Sequence, residues 1–206
     1  MEKESKKYVL IGFLFLLIEF LAVTRNIFES YIYFFWFCDF VPLLFAILFF
    51  FKKFQYVKAV INFGLIPQVI FLIDFFYILL FGQDLFNLIP NFSELDFLYL
   101  LITMLLHLPT LIALYFTFKI KPQKSTLYYS GIFLAGIYLL TLIFTSSTGD
   151  INYVYSVLDF IKLSIPYYTF FWPVLAFLLL VLPTQGIQYV IYQLWKRKEL
   201  KRKIIS

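Results

Sequence analysis

The sequence predicts an all-α polytopic membrane bundle of about six transmembrane helices, with both termini on the cytoplasmic side. Three observations carry this. Of 206 residues, 63% are hydrophobic and only 14% charged, more apolar surface than a soluble domain of this size hides from water. The apolar residues fall into six runs, each near the roughly 20 residues that a helix needs to cross the hydrocarbon. Basic residues gather in every second connection, the pattern that topology imposes on cytoplasmic loops.

The runs are 8–23, 31–51, 59–81, 97–118, 127–144 and 168–192, followed by a basic tail, 193–206; together they form a single transmembrane domain. Helix is the expected structure of each, because a backbone amide in lipid must find its partner within its own segment. Lys3, Lys6 and Lys7 precede the first run, and no small-x-small cleavage pattern follows it, so it reads as a retained span. Lys52, Lys53 and Lys58 mark the second connection, and Lys119, Lys121 and Lys124 the fourth. Lys196, Arg197, Lys198, Lys201, Arg202 and Lys203 fill the tail. The other connections hold only Arg25 and Lys162 as basic residues, and they collect Glu29, Asp84, Glu94, Asp96, Asp150 and Asp159. Tyr8, Tyr31, Tyr33, Tyr167, Tyr168, Tyr189 and Tyr192 sit near span ends, as an interfacial aromatic belt does. Two outer stretches read as interfacial: 82–93, which contains Pro90, and 151–165, whose mixed pattern suits an amphipathic helix lying on the surface.

Composition excludes several function classes. Six spans nearly exhaust the length, so any chemistry comes from the spans and their short connections. The net charge of +5 is explained by topology and gives no reason to expect nucleic acid. A single cysteine rules out an intrachain disulfide and a multi-cysteine metal site. One histidine with unspecific acid spacing makes a poor metal signal, and no phosphate loop, dinucleotide fingerprint or haem-type histidine pair is present. No cofactor is implied.

The informative residues are those that lipid penalises. Glu19, Asp39, Asp74 and His107 lie in spans one to four, with Cys38 beside Asp39, and such side chains normally face the bundle interior. Alternating span direction places all five in the outer half of the bilayer, which predicts a polar pocket there. Pro42 and Pro109 leave carbonyls without an amide partner four residues earlier. Thr103, His107 and Thr110 share a helix face, as do Pro67 and Asp74. Spans five and six offer little polarity beyond Thr141 and Gln185.

Three roles fit these residues. A thiol activated by an imidazole base, itself oriented by an acid, attacks acyl carbonyls; Cys38, His107 and Asp74 would be nucleophile, base and orienting acid. Outer placement suits a lipid or lipid-linked acyl substrate entering from the bilayer. Buried acids with a histidine also suit a small proton-linked transporter or channel, and a non-catalytic membrane subunit is the third role.

Cysteine in span two and histidine in span four of a six-span chain resembles the androgen-induced intramembrane lipid hydrolases and their cysteine–histidine acyltransferase relatives. That resemblance implies a hydrolase or acyltransferase of the cell membrane. Trp36-Phe37-Cys38-Asp39 with Pro42-Leu43-Leu44, Pro67-Gln68 before Asp74-Phe75, His107-Leu108-Pro109 and Asp150-Ile151-Asn152-Tyr153 resemble stretches of bacterial six-span membrane proteins that offer no established activity to borrow. They add Gln68 and Asn152 to the pocket, alongside Glu19, Asp39, Thr103 and Thr110.

Overall fold

The protein is described by a computed structural model covering residues 2–83, 85, 86, 88, 89, 96–147, 150–156 and 166–205. Side chains 2–5, 29, 31 and 203–205 are outside that description. Most of the stretches expected at the interface, including Asp84, Pro90, Glu94, Asp159 and Lys162, lie outside the described residues.

One helix organises the rest. Its 28 residues, Phe54–Phe81 (α3), are buried without a break over 57–65, while Leu79, Leu80 and Phe81 are exposed at the far end, so the first half needs a partner all round. The helices α2 (Phe37–Phe50), α5 (Pro109–Thr117), α6 (Lys124–Phe144) and α8 (Leu182–Ile205) supply it, together with the wide turn Phe177–Val181. α1 (Glu2–Glu29) packs along α2 and against α4 (Phe97–Leu106), while α7 (Tyr168–Ala176) leads into the wide turn. Fully buried Phe15, Phe45 and Phe49 fill the α1–α2 seam, with ring centroids 5.3 and 5.5 Å from Phe15. Outside, the bundle is greasy: Leu10, Phe13, Leu17 and Phe20 line the free face of α1, and Leu139, Leu140 and Ile143 that of α6. Among the described residues five helices are long and apolar enough to cross a membrane, and the exposed leucines and phenylalanines suit contact with lipid.

Both chain ends lie at one end of the bundle, since Tyr8 meets Phe54 at 4.7 Å and Phe118 meets Trp195 at 6.3 Å. There α3, α6 and α8 are joined by amides. Asn62 donates to Ser130 Oγ at 3.0 Å and to Gln185 Oε1 at 2.8 Å. Gln188 donates to Asn62 Oδ1 and to the Lys58 carbonyl, and its own Oε1 accepts from Lys58 Nζ at 3.2 Å.

Several sequence expectations are corrected here. α1 runs to Glu29 rather than ending at Val23, so Arg25 is helical and not in a loop. α3 begins at Phe54, which puts Lys58 inside the helix with none of its surface exposed. Span two is a 14-residue helix after a separate 3-10 turn, Tyr31–Phe35. The basic tail continues α8 as helix. Spans five and six are more polar than their sequence suggests, because Ser130, Thr184 and Gln188 all face inward and are buried.

A buried ammonium that loses its acceptor costs more than the bond returns when both partners are present. Gln188→Leu is therefore expected to lower stability by about 1–3 kcal/mol, and adding Lys58→Met to recover part of that loss. Thermal unfolding of the purified variants in detergent measures both.

Candidate functional site

The site is built at the end of the bundle opposite the termini. Ser30 caps the 3-10 turn through Ile32 N, and the chain then extends at Trp36 before α2 begins. Cys38 and Asp39 consequently fall in the first turn of α2. Asn152 fixes this junction: its Oδ1 accepts from Phe37 N at 2.8 Å, and its Nδ2 donates to Phe35 O at 2.8 Å and Thr141 Oγ1 at 3.0 Å. To do so Asn152 adopts a φ of 56°, with Asp150 and Tyr153 also left-handed at 36° and 52°. Left-handed backbone costs about 1–2 kcal/mol in Tyr153 and less in Asp150 and Asn152, whose short polar side chains tolerate it, and the Asp150 carboxylate offsets part of this by accepting from Tyr155 N, Ser156 N and the Ser156 hydroxyl.

Arg25 of α1 reaches across to this turn. Its Nη2 pairs with Asp39 Oδ1, Nε and Nη2 donate to Asn26 Oδ1 at 3.0 and 2.8 Å, and Nη1 donates to Thr103 Oγ1 at 3.2 Å. The side chains of the ion pair are 8% and 2% exposed, so the charges are compensated almost without water. Tyr33 and Tyr99 flank the guanidinium with ring centroids 5.9 and 5.6 Å away. The Cys38 thiol lies 3.9 Å from the other Asp39 oxygen.

Pro109 explains His107. Lacking an amide proton, proline ends the helical ladder, and span four divides into α4 and α5. His107 N turns to Met104 O at 3.0 Å, which frees the Thr103 carbonyl. The imidazole takes it, with Nδ1 2.7 Å from Thr103 O. A carbonyl only accepts, so the neutral ring carries its proton on Nδ1 and its lone pair on Nε2. The ring lies flat on Phe71, 3.5 Å between centroids at 9°. Thr103 thus serves both partners, its hydroxyl to Arg25 and its carbonyl to His107, and Arg25 is an electrostatic neighbour of both Cys38 and His107.

Gln68 and Thr110 lie one turn along their helices from Phe71 and His107, the Gln68 Oε1 accepting from Thr110 N at 3.1 Å. Of the other two expected members, Asp74 is turned to different partners, while Glu19 is an electrostatic neighbour of Asp39. Asp74, expected to orient the imidazole, gives its carboxylate to the amides of Leu85, Phe86 and Leu88 at 2.8–3.0 Å. It braces the connection after α3, where Gly82 closes the helix at φ 67°. Glu19 accepts from Leu43 N at 3.2 Å, the amide following Pro42. Arg25 and Asn26 are the members that sequence reasoning missed. The available signal was a lone arginine two residues past an apolar run, on the side of the chain that otherwise collects acids.

An apolar cleft of about 300 Å³ opens elsewhere, between α6 and α7, where Gly131, Ala135 and Pro173 leave room beside Phe177. Its lining shares no residue with the polar cluster. Among the described residues no three His, Cys, Asp or Glu side chains converge as a metal site needs. Comparison of the chain with protein-family models, curated proteins and solved structures finds no match.

Removing one member of a buried ion pair strands the other at a cost of about 3–5 kcal/mol. Arg25→Met is expected to lose stability in that range, and Arg25→Met with Asp39→Asn to lose distinctly less, by thermal unfolding of all four members of the cycle. Asp74→Ala is expected to raise hydrogen exchange at the amides of Leu85, Phe86 and Leu88 while leaving the alkylation rate of Cys38 unchanged.

Proposed function

We propose that this multi-pass membrane protein catalyses acyl transfer from a lipid or lipid-linked ester, as a hydrolase or acyltransferase, with Cys38 as nucleophile and His107 as general base. The observation that carries this reading is the hydrogen bond of His107 Nδ1 to the Thr103 carbonyl. It presents Nε2 as the basic nitrogen and holds the ring against rotation, the two things a base must have before it accepts a proton. In this reading the Thr103 carbonyl does the orienting work that a triad acid does elsewhere. Arg25 neutralises the Asp39 carboxylate that would otherwise repel a thiolate 3.9 Å away. The placement of cysteine and histidine on spans two and four supports the same chemistry by resemblance.

The reaction is written in two halves. His107 Nε2 takes the thiol proton as Cys38 Sγ bonds to the ester carbonyl carbon. Collapse of the tetrahedral intermediate breaks the carbon–oxygen bond, and the departing alkoxide takes the proton from Nε2. Water or an acceptor alcohol then gives its proton to Nε2 and attacks the thioester carbonyl; the returning thiolate recovers that proton. With the termini cytoplasmic, as the basic tail and the Lys52–Lys53 turn favour, the cluster falls in the outer half of the bilayer, which supports a lipid ester as substrate.

Transport needs polar groups continuous from end to end. Asn62 and Gln68 are separated by about 120° around α3, with buried Phe63 and Leu65 between them in the chain, so the two polar ends of the bundle do not form one stripe.

The purified protein is expected to form a thioester with a long-chain p-nitrophenyl ester, seen by mass spectrometry at Cys38. The adduct should be lost in Cys38→Ala, and its rate should fall about a hundredfold or more in His107→Ala. Acylation indifferent to both substitutions would falsify the assignment.

A further inference from the structure

We propose that the Gln68 side-chain amide and the Thr110 hydroxyl form the oxyanion hole of this site, which makes its substrate a carbonyl compound that becomes tetrahedral there. The inference rests on the acyl-transfer reading and adds to it the groups that stabilise the transition state.

The backbone fixes the orientation of Gln68. Its Oε1 accepts from Thr110 N, and an oxygen so placed leaves the NH2 group pointing away from that bond. That nitrogen is buried in a residue 1% exposed, and it has no hydrogen-bond partner among the described residues. The same holds for Thr110 Oγ1, in a residue with no exposed surface. An unmet buried donor costs about 1–3 kcal/mol, and here there are two, on residues that the Thr110 N to Gln68 Oε1 bond holds together. Packing alone gives no return for this, since methionine and valine would fill the same space without polar atoms.

Their location completes the case. Thr110 follows His107 by one turn across the proline break, and Gln68 precedes by one turn the Phe71 ring on which His107 lies. Gly64 brings in the third helix. A Cβ at Gly64 would stand 2.6 Å from the Phe37 ring and 2.9 Å from Thr110 Oγ1. The Phe37 ring and Thr110 Oγ1 thus both border Gly64, and Cys38 follows Phe37 in the chain. Two uncommitted donors are thus gathered among the helices that carry nucleophile and base. Charge develops on the carbonyl oxygen during attack, and neutral, preoriented donors in a dry site stabilise it without reorganisation.

The test compares two reactions of one thiol. Acylation of Cys38 by a p-nitrophenyl ester passes through an oxyanion; alkylation by iodoacetamide does not. Thr110→Val keeps the shape and the amide that Gln68 holds, and Gln68→Met keeps the length. Each is expected to slow acylation about a hundredfold and to leave the alkylation rate within twofold of the parent, with Thr110→Ser restoring acylation. Acylation unchanged in both variants while Cys38→Ala abolishes it would overturn the oxyanion assignment and leave the nucleophile standing. Equal slowing of both reactions would also overturn it, since the substitutions would then act on the thiol. Parent protein that alkylates at Cys38 but never acylates would remove the acyl-transfer reading itself.

Discussion

Arg25 brings a full positive charge into a wall of leucine and phenylalanine, and the far end of the bundle is organised around meeting its needs. A guanidinium offers donors in a rigid planar fork, so each partner must arrive from a set direction. Asp39 comes from the first turn of α2, Asn26 from the next position of α1 itself, and Thr103 from α4. Three helices are thereby held in register by one side chain. The compensation is mutual: without Arg25, Asp39 would be a nearly dry carboxylate, and without Asp39 the charge on α1 would have no place inside the bundle.

The second constraint is the break that Pro109 imposes on span four, which turns His107 N from Thr103 O to Met104 O. A continuous span four would bury the Thr103 carbonyl in its own ladder and leave the His107 ring free to choose a tautomer. The interruption transfers that carbonyl from backbone to side chain, so a defect in the helix becomes the clamp on the imidazole. Asn152 performs a comparable service at the start of α2, replacing the bonds that the Trp36 break removes. In both places an irregular backbone is tolerated because a side chain or a neighbouring element supplies the lost partner.

The all-helical, multi-span architecture was legible because hydropathy and length report directly on a lipid solvent. Cys38, Asp39 and His107 were read as sharing a depth because alternating span direction converts residue number into depth, and Thr103 was added because it shares a helix face with His107. Arg25 and Lys58 were not. Both stand at the edge of an apolar run, where the same letter describes a loop cation or a buried one, and only the acceptors on distant helices decide between them. Asp74 misled for the opposite reason. A carboxylate inside a span reads as functional, yet its partners are backbone amides of the connection after α3, and amides carry no signature in the sequence.

α2 is unusually brief for a bundle of this kind. Fourteen residues rise about 21 Å, against a hydrocarbon slab of about 30 Å. α2 by itself falls short of that thickness, and the 3-10 turn Tyr31–Phe35 precedes it, so Cys38 and Asp39 at the start of α2 lie inward of the residues that open the span.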